Sequence, residues 1–290
     1  MNNNTIHTMS RNMLLSLAAL TIFLSSCTKD VDNIKLPATD PKLVVGCFIS
    51  PEDTLIVVTL TRSNPIFGAG HNNTNNSSVE DAVVTISNGT TSATIPYNYA
   101  DQEYELSASS FPILGGQTYY LSVSTPRGES VSGSCTVPAS NLSALSVEFT
   151  DTVSSTKVIT VKWQDMTGEA NYYRAFGQTV FIDLFSPGDT SYNDMYGDNT
   201  LQNDYQKDGN EMRVKLNGFQ NPSYNTGESW KVVAYDIYLL NVDAEYYKYQ
   251  NSHDHYVYDD PFSEPSPLYT NIQGGLGVFG AYRKLHVRVP

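Results

Sequence analysis

Charge is scarce in this chain, and base is scarcer than acid. Charged residues fill 16% of 290 positions, with 17 lysines and arginines against 30 aspartates and glutamates, a formal net charge of −13. So little base cannot neutralise a run of phosphates, which excludes nucleic acid as a partner. Long apolar runs are also lacking: the best stretch, Met13 to Leu24, is too short for a comfortable bilayer crossing. No Gly-x-Ser-x-Gly, phosphate loop or His-Glu-x-x-His motif is present, and no evident pair of catalytic carboxylates. The expectation is therefore a non-catalytic protein with no cofactor and no dedicated metal.

What the chain does have is tyrosine, 20 in all, together with much threonine, valine and serine, a composition that favours strands over helices. The predicted fold is mostly β, with two immunoglobulin-like β-sandwich units in tandem and one short helix in the C-terminal unit. The predicted bounds are 42–139 for the first unit and 140–290 for the second. Upstream, Arg11 precedes the apolar stretch, and Leu24-Ser25-Ser26-Cys27 resembles a bacterial lipobox. Residues 1–26 then read as a signal peptide, Cys27 as the lipid-attachment site and 27–41 as a lipidated tether. Lys29-Asp30 resembles signals that carry lipoproteins to the cell surface, so the expected location is the outer membrane, lipid-anchored and outward-facing. Acyl chains contribute about 0.8 kcal/mol per buried methylene, enough for lasting attachment.

In the first unit Leu43, Val45, Cys47 and Ile49 alternate onto one face of a strand, and Val131, Cys135 and Val137 onto one face of another. Both cysteines point inward. If the first and last strands of this sandwich lie side by side, Cys47 and Cys135 can form a disulfide; otherwise they are two buried thiols. Strands are also expected at 53–62 and 82–87, with a turn at Asn88-Gly89. After Gly115-Gly116, Tyr119, Leu121 and Val123 share a face, which resembles the tyrosine-corner strand of immunoglobulin-like domains. A seven-stranded sandwich results, interrupted by an Asn- and Gly-rich insertion at 63–80 that reads as mobile.

In the second unit Ile159, Val161 and Trp163 point inward, Asp165 to Gly168 turn, and strands follow at 171–174, 212–216 and 230–240. Asn241 or Asp243 can cap a helix running to Asn251. The segment 183–211 gathers seven acids around Lys207. Within it Asp204-Tyr205-Gln206-Lys207-Asp208-Gly209 opens like a calcium loop, but Lys215 stands where the bidentate glutamate of an EF-hand belongs. An EF-hand is excluded, leaving a looser calcium site or a solvated acidic face. His253-Asp254-His255, with Asp259 and Asp260, reads as a zinc arrangement or as a polar loop. Tyr192, Tyr196, Tyr205 and Tyr224 lie among Asp and Asn in loops, a composition suited to a glycan or to plain solvent. Asp53-Thr54-Leu55 and Asp151-Thr152-Val153 resemble a three-residue O-glycosylation signal. The last strand places Leu285, Val287 and Val289 inward and Lys284, His286 and Arg288 outward, a basic stripe for a partner or lipid phosphates, or a solvated face.

The run from Asn271 to Tyr282, Asn-Ile-Gln-Gly-Gly-Leu-Gly-Val-Phe-Gly-Ala-Tyr, follows a segment stiffened by prolines 261, 265 and 267. It resembles the C-terminal hallmark of the outer-membrane lipoproteins grouped as domain of unknown function 4249. Leu43-Val44-Val45-Gly46, Thr136-Val137-Pro138, Trp163-Gln164-Asp165, Asn171-Tyr172-Tyr173 and Glu245 to Tyr249 match in order. The resemblance implies an envelope lipoprotein that acts as an accessory or binding subunit beside a TonB-dependent receptor in nutrient uptake. It brings no catalytic residues. A stand-alone glycan- or peptide-binding lipoprotein, or an envelope hydrolase, are the alternative expectations.

Overall fold

The computed structural model describes residues 40–64, 78–140, 142, 144–151, 156–185, 188–219, 230–256 and 267–290. Cys27, the leader, the tether up to Thr39, most of the 63–80 insertion, Thr152, Tyr224, Asp259 and Asp260 lie outside them. The chain divides at Thr39 into two units, and only the second, 40–290, falls within the described residues.

The first sandwich contains strands β1 (Leu43–Ile49), β2 (Leu55–Arg62), β3 (Val83–Ser87), β4 (Ser92–Ile95), β5 (Tyr97–Asn98), β6 (Glu103–Ser107), β7 (Thr118–Ser124) and β8 (Ser130–Thr136). The second contains β9 (Leu145–Asp151), β10 (Thr156–Gln164), β11 (Tyr172–Asp183), β12 (Thr190–Asp194), β13 (Leu201–Asn203), β14 (Glu211–Phe219) and β15 (Trp230–Val242), then helix α1 (Ala244–Asp254) and strand β16 (Leu276–Val289). The chain is thus mostly β, built as two sandwiches in tandem with one helix in the C-terminal unit.

The sheets run across the expected boundary. One nine-stranded sheet has the order β12-β11-β15-β16-β1-β2-β6-β5, with β13 also on β11. Two smaller sheets, β4-β3-β7-β8 and β14-β10-β9, complete the two sandwiches. The joint is β16. Its first half runs parallel to β1, from Val44 opposite Leu276 to Ile49 opposite Ala281. Its second half runs antiparallel to β15, from Val242 opposite Tyr282 to Tyr235 opposite Val289. A cut at 139/140 therefore divides both the shared sheet and the first core, because the first sandwich is finished by the last strand of the chain, which gives that core Phe279 and Ala281.

The glycine-rich run makes that crossing. At Gly277, with φ +102°, a Cβ would sit 1.9 Å from the Val45 carbonyl oxygen, so only glycine lets the backbone lie this close to β1. Asn271 clips the run in place: its Nδ2 donates to the carbonyls of Phe279 at 2.7 Å and Ser134 at 3.0 Å, and its Oδ1 accepts from the Phe279 N–H at 2.9 Å. The turn after β1 holds the midpoint of β16. Glu52 accepts from Arg283 Nε at 2.8 Å and from the Lys284 N–H, while Asp53 accepts from the Tyr282 hydroxyl at 2.6 Å and from Lys284 Nζ at 2.7 Å. Desolvation alone would raise the Glu52 carboxyl, but hydrogen bonds from the Ser50 hydroxyl, Arg283 and the Lys284 N–H hold it below the usual carboxylate range.

The alternating residues pack as the sequence predicts. Leu43, Val45, Cys47 and Ile49 join Tyr119, Leu121, Val123 and, from β16, Phe279 and Ala281 in the first core. Tyr119 forms a tyrosine corner: its hydroxyl accepts from the Leu114 N–H at 2.8 Å. Ile159, Val161 and Trp163 face Tyr173, Ala175, Ile237 and Leu239 in the second core. Among the described residues the strand count differs from seven, since the first sandwich has eight strands of its own and half of β16.

Cys47 and Cys135 are both buried and both free. The side-by-side arrangement that a bridge would use does not occur: β1 pairs with β2 and β16, whereas β8 pairs with β7 in the opposite sheet. Burial pushes both thiols well above their ordinary range, so they are inert, small core residues.

Candidate functional site

Alternation along the nine-stranded sheet decides which residues can form a surface. On β16 the odd positions Phe279, Ala281, Leu285 and Val289 serve the two cores, so the even positions Tyr282, Lys284 and His286 face the other way. The same outer face receives Phe48 from β1, Arg174 and Phe176 from β11, and Tyr238 and Leu240 from β15. Only α1 covers it. The helix starts where Asp243 Oδ1 accepts from the Tyr246 N–H at 2.8 Å. It sits close because β16 offers Gly280, where a Cβ would be 3.2 Å from the Tyr246 Cα. Tyr246 is the helix residue buried by this contact, its ring 4.7 Å from that of Phe48.

Beyond the helix the sheet face stays open as a groove of about 590 Å³, lined by Phe48, Arg174, Phe176, Asp194, Met195, Tyr238, Leu240, Tyr246, Gln250, Tyr282 and Lys284. Phe176, Tyr238 and His286 stand opposite one another on three adjacent strands. Their rings stack in a ladder with centroids 4.9 Å and 4.5 Å apart and planes 13° apart. Stacking uses the ring faces on one another and turns the edges outward, which makes a stiff apolar floor rather than a flat platform. Polar groups rim it: Asp194, which accepts from Gln178 Nε2 at 2.9 Å, Arg174, Gln250 and Lys284. Burial raises the hydroxyls of Tyr238 and Tyr246, keeping both as neutral donors. The arrangement suits an apolar side chain on the floor, worth about 1.5–3 kcal/mol when fully buried, with polar atoms met at the rim.

The residues singled out by sequence fall elsewhere or serve structure. His253 and Asp254 are helical and His255 caps the helix, its Nδ1 2.7 Å from the Asn251 carbonyl. The segment is not extended, and on a helix positions two apart point away from each other, so the two imidazoles do not converge. Of the basic stripe, Lys284 pairs with Asp53, while His286 at 2.9 Å and Arg288 at 3.6 Å share the buried Asp236. Each base of that stripe therefore already has an acidic partner. The 183–211 segment is not one loop, since β12 and β13 both pair with β11. Tyr192, Tyr196 and Tyr205 are indeed exposed, at 56%, 67% and 76%. Thr54 is exposed ahead of β2. The sequence reading missed the groove because its aromatics sit one per turn of alternation on strands distant in sequence. The signal was present in Phe176 and Tyr238, large rings at positions on the outward side of their strands' alternation.

A family model described as domain of unknown function (DUF4249) matches residues 30–287. Among solved structures, a two fibronectin type-III domain segment from chicken tenascin is similar at 15% identity, over 70% of this chain and 91% of that one, with a TM-score of 0.20. Comparison with curated proteins gives no match.

Proposed function

The chain belongs to the family described as domain of unknown function (DUF4249), and on that premise we propose that it is a non-catalytic binding subunit that uses the outer groove to hold an extended segment of a protein partner. The observation that carries this reading is the apolar floor of Phe176, Tyr238 and Leu240, left open beside α1 among the described residues and rimmed by Arg174, Asp194 and Gln250. A side chain from the partner fills the floor while the rim meets its backbone. The setting is the one the sequence suggests: a protein acylated at Cys27, carried on the outer surface of the outer membrane and working with a TonB-dependent receptor.

The test is recovery of the acylated protein from its native membrane in mild detergent, followed by mass spectrometry, with Cys27→Ala and Gln250→Arg forms beside it. Stoichiometric recovery of a TonB-dependent receptor with the natural sequence, reduced by Gln250→Arg, supports the proposal. Recovery of the protein alone from membranes that contain the receptor overturns it, and moves attention to a soluble glycan or peptide.

A further inference from the structure

A second feature lies away from the groove and stands on its own observations. Asp165 follows β10, Asp204 follows β13, and Asp208 lies four residues further on. Each offers a carboxylate oxygen within 4.8 Å of the others. Asp165 and Asp204 are buried, at 4% and 8% exposure, whereas Asp208 is exposed. Neutral donors hold them in place. The Tyr173 hydroxyl donates to Asp165 Oδ1 at 2.7 Å and the Gly209 N–H to its Oδ2 at 2.7 Å; the Asn171 N–H donates to Asp204 Oδ2 at 2.9 Å, and the Gly168 N–H to Asp208 Oδ1 at 2.8 Å. These bonds orient the carboxylates without cancelling their charge. Among the described residues, no lysine or arginine forms an ion pair with any of the three.

An independent observation points to what is missing. Asn171 is 5% exposed, and its side-chain oxygen has no hydrogen-bond partner. The register says which way it faces. Tyr172 stands opposite Asn203, so Asn171 stands opposite Asp204, and the Asp204 N–H donates to the Asn171 carbonyl at 3.2 Å. Residues opposite each other share a face, and Asn171 also shares the face of Tyr173, whose hydroxyl rests on Asp165. A buried amide oxygen without a donor, on the same face as three carboxylates without a cation, is costly as it stands.

We propose that Asp165, Asp204, Asp208 and the side-chain oxygen of Asn171 form a calcium site. All four ligands are hard oxygens, and they come from loops and a strand end rather than from a rigid octahedral cage. Calcium accepts six to eight such oxygens in flexible geometry, with water completing the shell, whereas magnesium demands a tighter octahedron. The segment from Asp204 to Gly209 opens like a calcium loop but lacks its closing acid. Asp165, brought in from β10, takes the place of that acid.

Terbium luminescence tests this directly, because Tyr173 touches Asp165 and the Trp163 ring lies 5.5 Å from the Tyr173 ring, placing two sensitisers at the site. The expected result is sensitised terbium emission from the acylated full chain, displaced by calcium, and a calcium-dependent rise in Tm that a chelator reverses. Asp208→Asn alters an exposed residue and leaves the fold intact by circular dichroism; it weakens both signals about tenfold or more. Asn171→Ala weakens them as well, while Asp198→Asn, an exposed acid outside the cluster, leaves them unchanged. Folded protein with no sensitised emission and no calcium-dependent change in Tm up to ~1 mM calcium overturns the proposal. So does an Asp208→Asn form that binds as the natural sequence does.

Discussion

The two sandwiches share a sheet yet treat their polar and aromatic groups differently. In the first, the fully buried tyrosines have their hydroxyls closed off: Tyr104 donates to the Val79 carbonyl and accepts from the Ala82 N–H, both at 2.9 Å, and Tyr119 anchors its corner. In the second, an aromatic ladder lies on the outer face. The described buried side-chain atoms without a partner, Trp163 Nε1, Asn171 Oδ1 and Asp243 Oδ2, all belong to that unit. A unit that satisfies all its own groups is a scaffold, and one that leaves groups unmet is where binding is to be sought. The first sandwich braces the shared sheet, and the second carries the groove and the carboxylate cluster.

If the units are one body through β16, breaking the splice must cost both. Gly277→Val forces a side chain into the Val45 carbonyl and should cost about 4 kcal/mol or more in urea unfolding. The loss should appear in one transition rather than two, because each core has residues from β16. Separate transitions, with the second unit unaffected, would break the comparison by showing two independent domains.

Asp243 gives a smaller effect that is specific to the joint. Burial, chiefly, raises its carboxyl from the ordinary 3.8 to about 7, opposed by the N–H groups of Tyr246 and Ala281, with Glu245 nearby adding to the rise. The folded state thus holds the proton more tightly than the unfolded chain. The stabilisation is full below about pH 4 and is lost progressively as pH rises through 7. Asp243→Asn keeps a good helix cap and should flatten the fall in Tm between pH 4 and 7. An unchanged slope in that variant would assign the pH dependence to other groups.

Hydroxyl deletion sharpens the contrast at the low end. Tyr119→Phe leaves the Leu114 N–H without its partner and should cost about 1–2 kcal/mol. Tyr247→Phe, in the second unit, removes only a half-buried bond accepted from Asn203 Nδ2, and should cost less than about 0.5 kcal/mol. Equal losses would deny that the first sandwich is the more tightly closed of the two.

Much of this fold was legible because alternation is a local signal. Leu43 to Ile49, Ile159 to Trp163 and the Tyr119 strand show their buried faces in period two, and Asp243 shows its cap. Non-local pairings were not legible. Nothing in the spacing of Leu276 to Val289 says that one strand serves two cores, although the glycines around it signalled close backbone approach. For the same reason Cys47 and Cys135, both placed inward, do not lie on the neighbouring strands that their pairing supposed, and both are free. The candidate sites were harder still, since each depends on residues from several strands. The groove needs β11, β15 and β16 in register, and the acidic cluster needs Asp165 to meet a loop some forty positions later, held by the Asp165 bond to Gly209. The helical setting of His253 went unread because a polar run carries no apolar period to mark it.

The central claim is that recognition belongs to the groove of the second unit and not to the first sandwich. Site-specific photocrosslinking in the native membrane tests it, with benzoylphenylalanine placed at Gln250 on the groove rim or at Tyr120, an exposed position on the first sandwich. The account predicts a crosslink to a TonB-dependent receptor from position 250 and none from position 120. A receptor crosslink from position 120 alone, or from neither while the receptor is present, would contradict it.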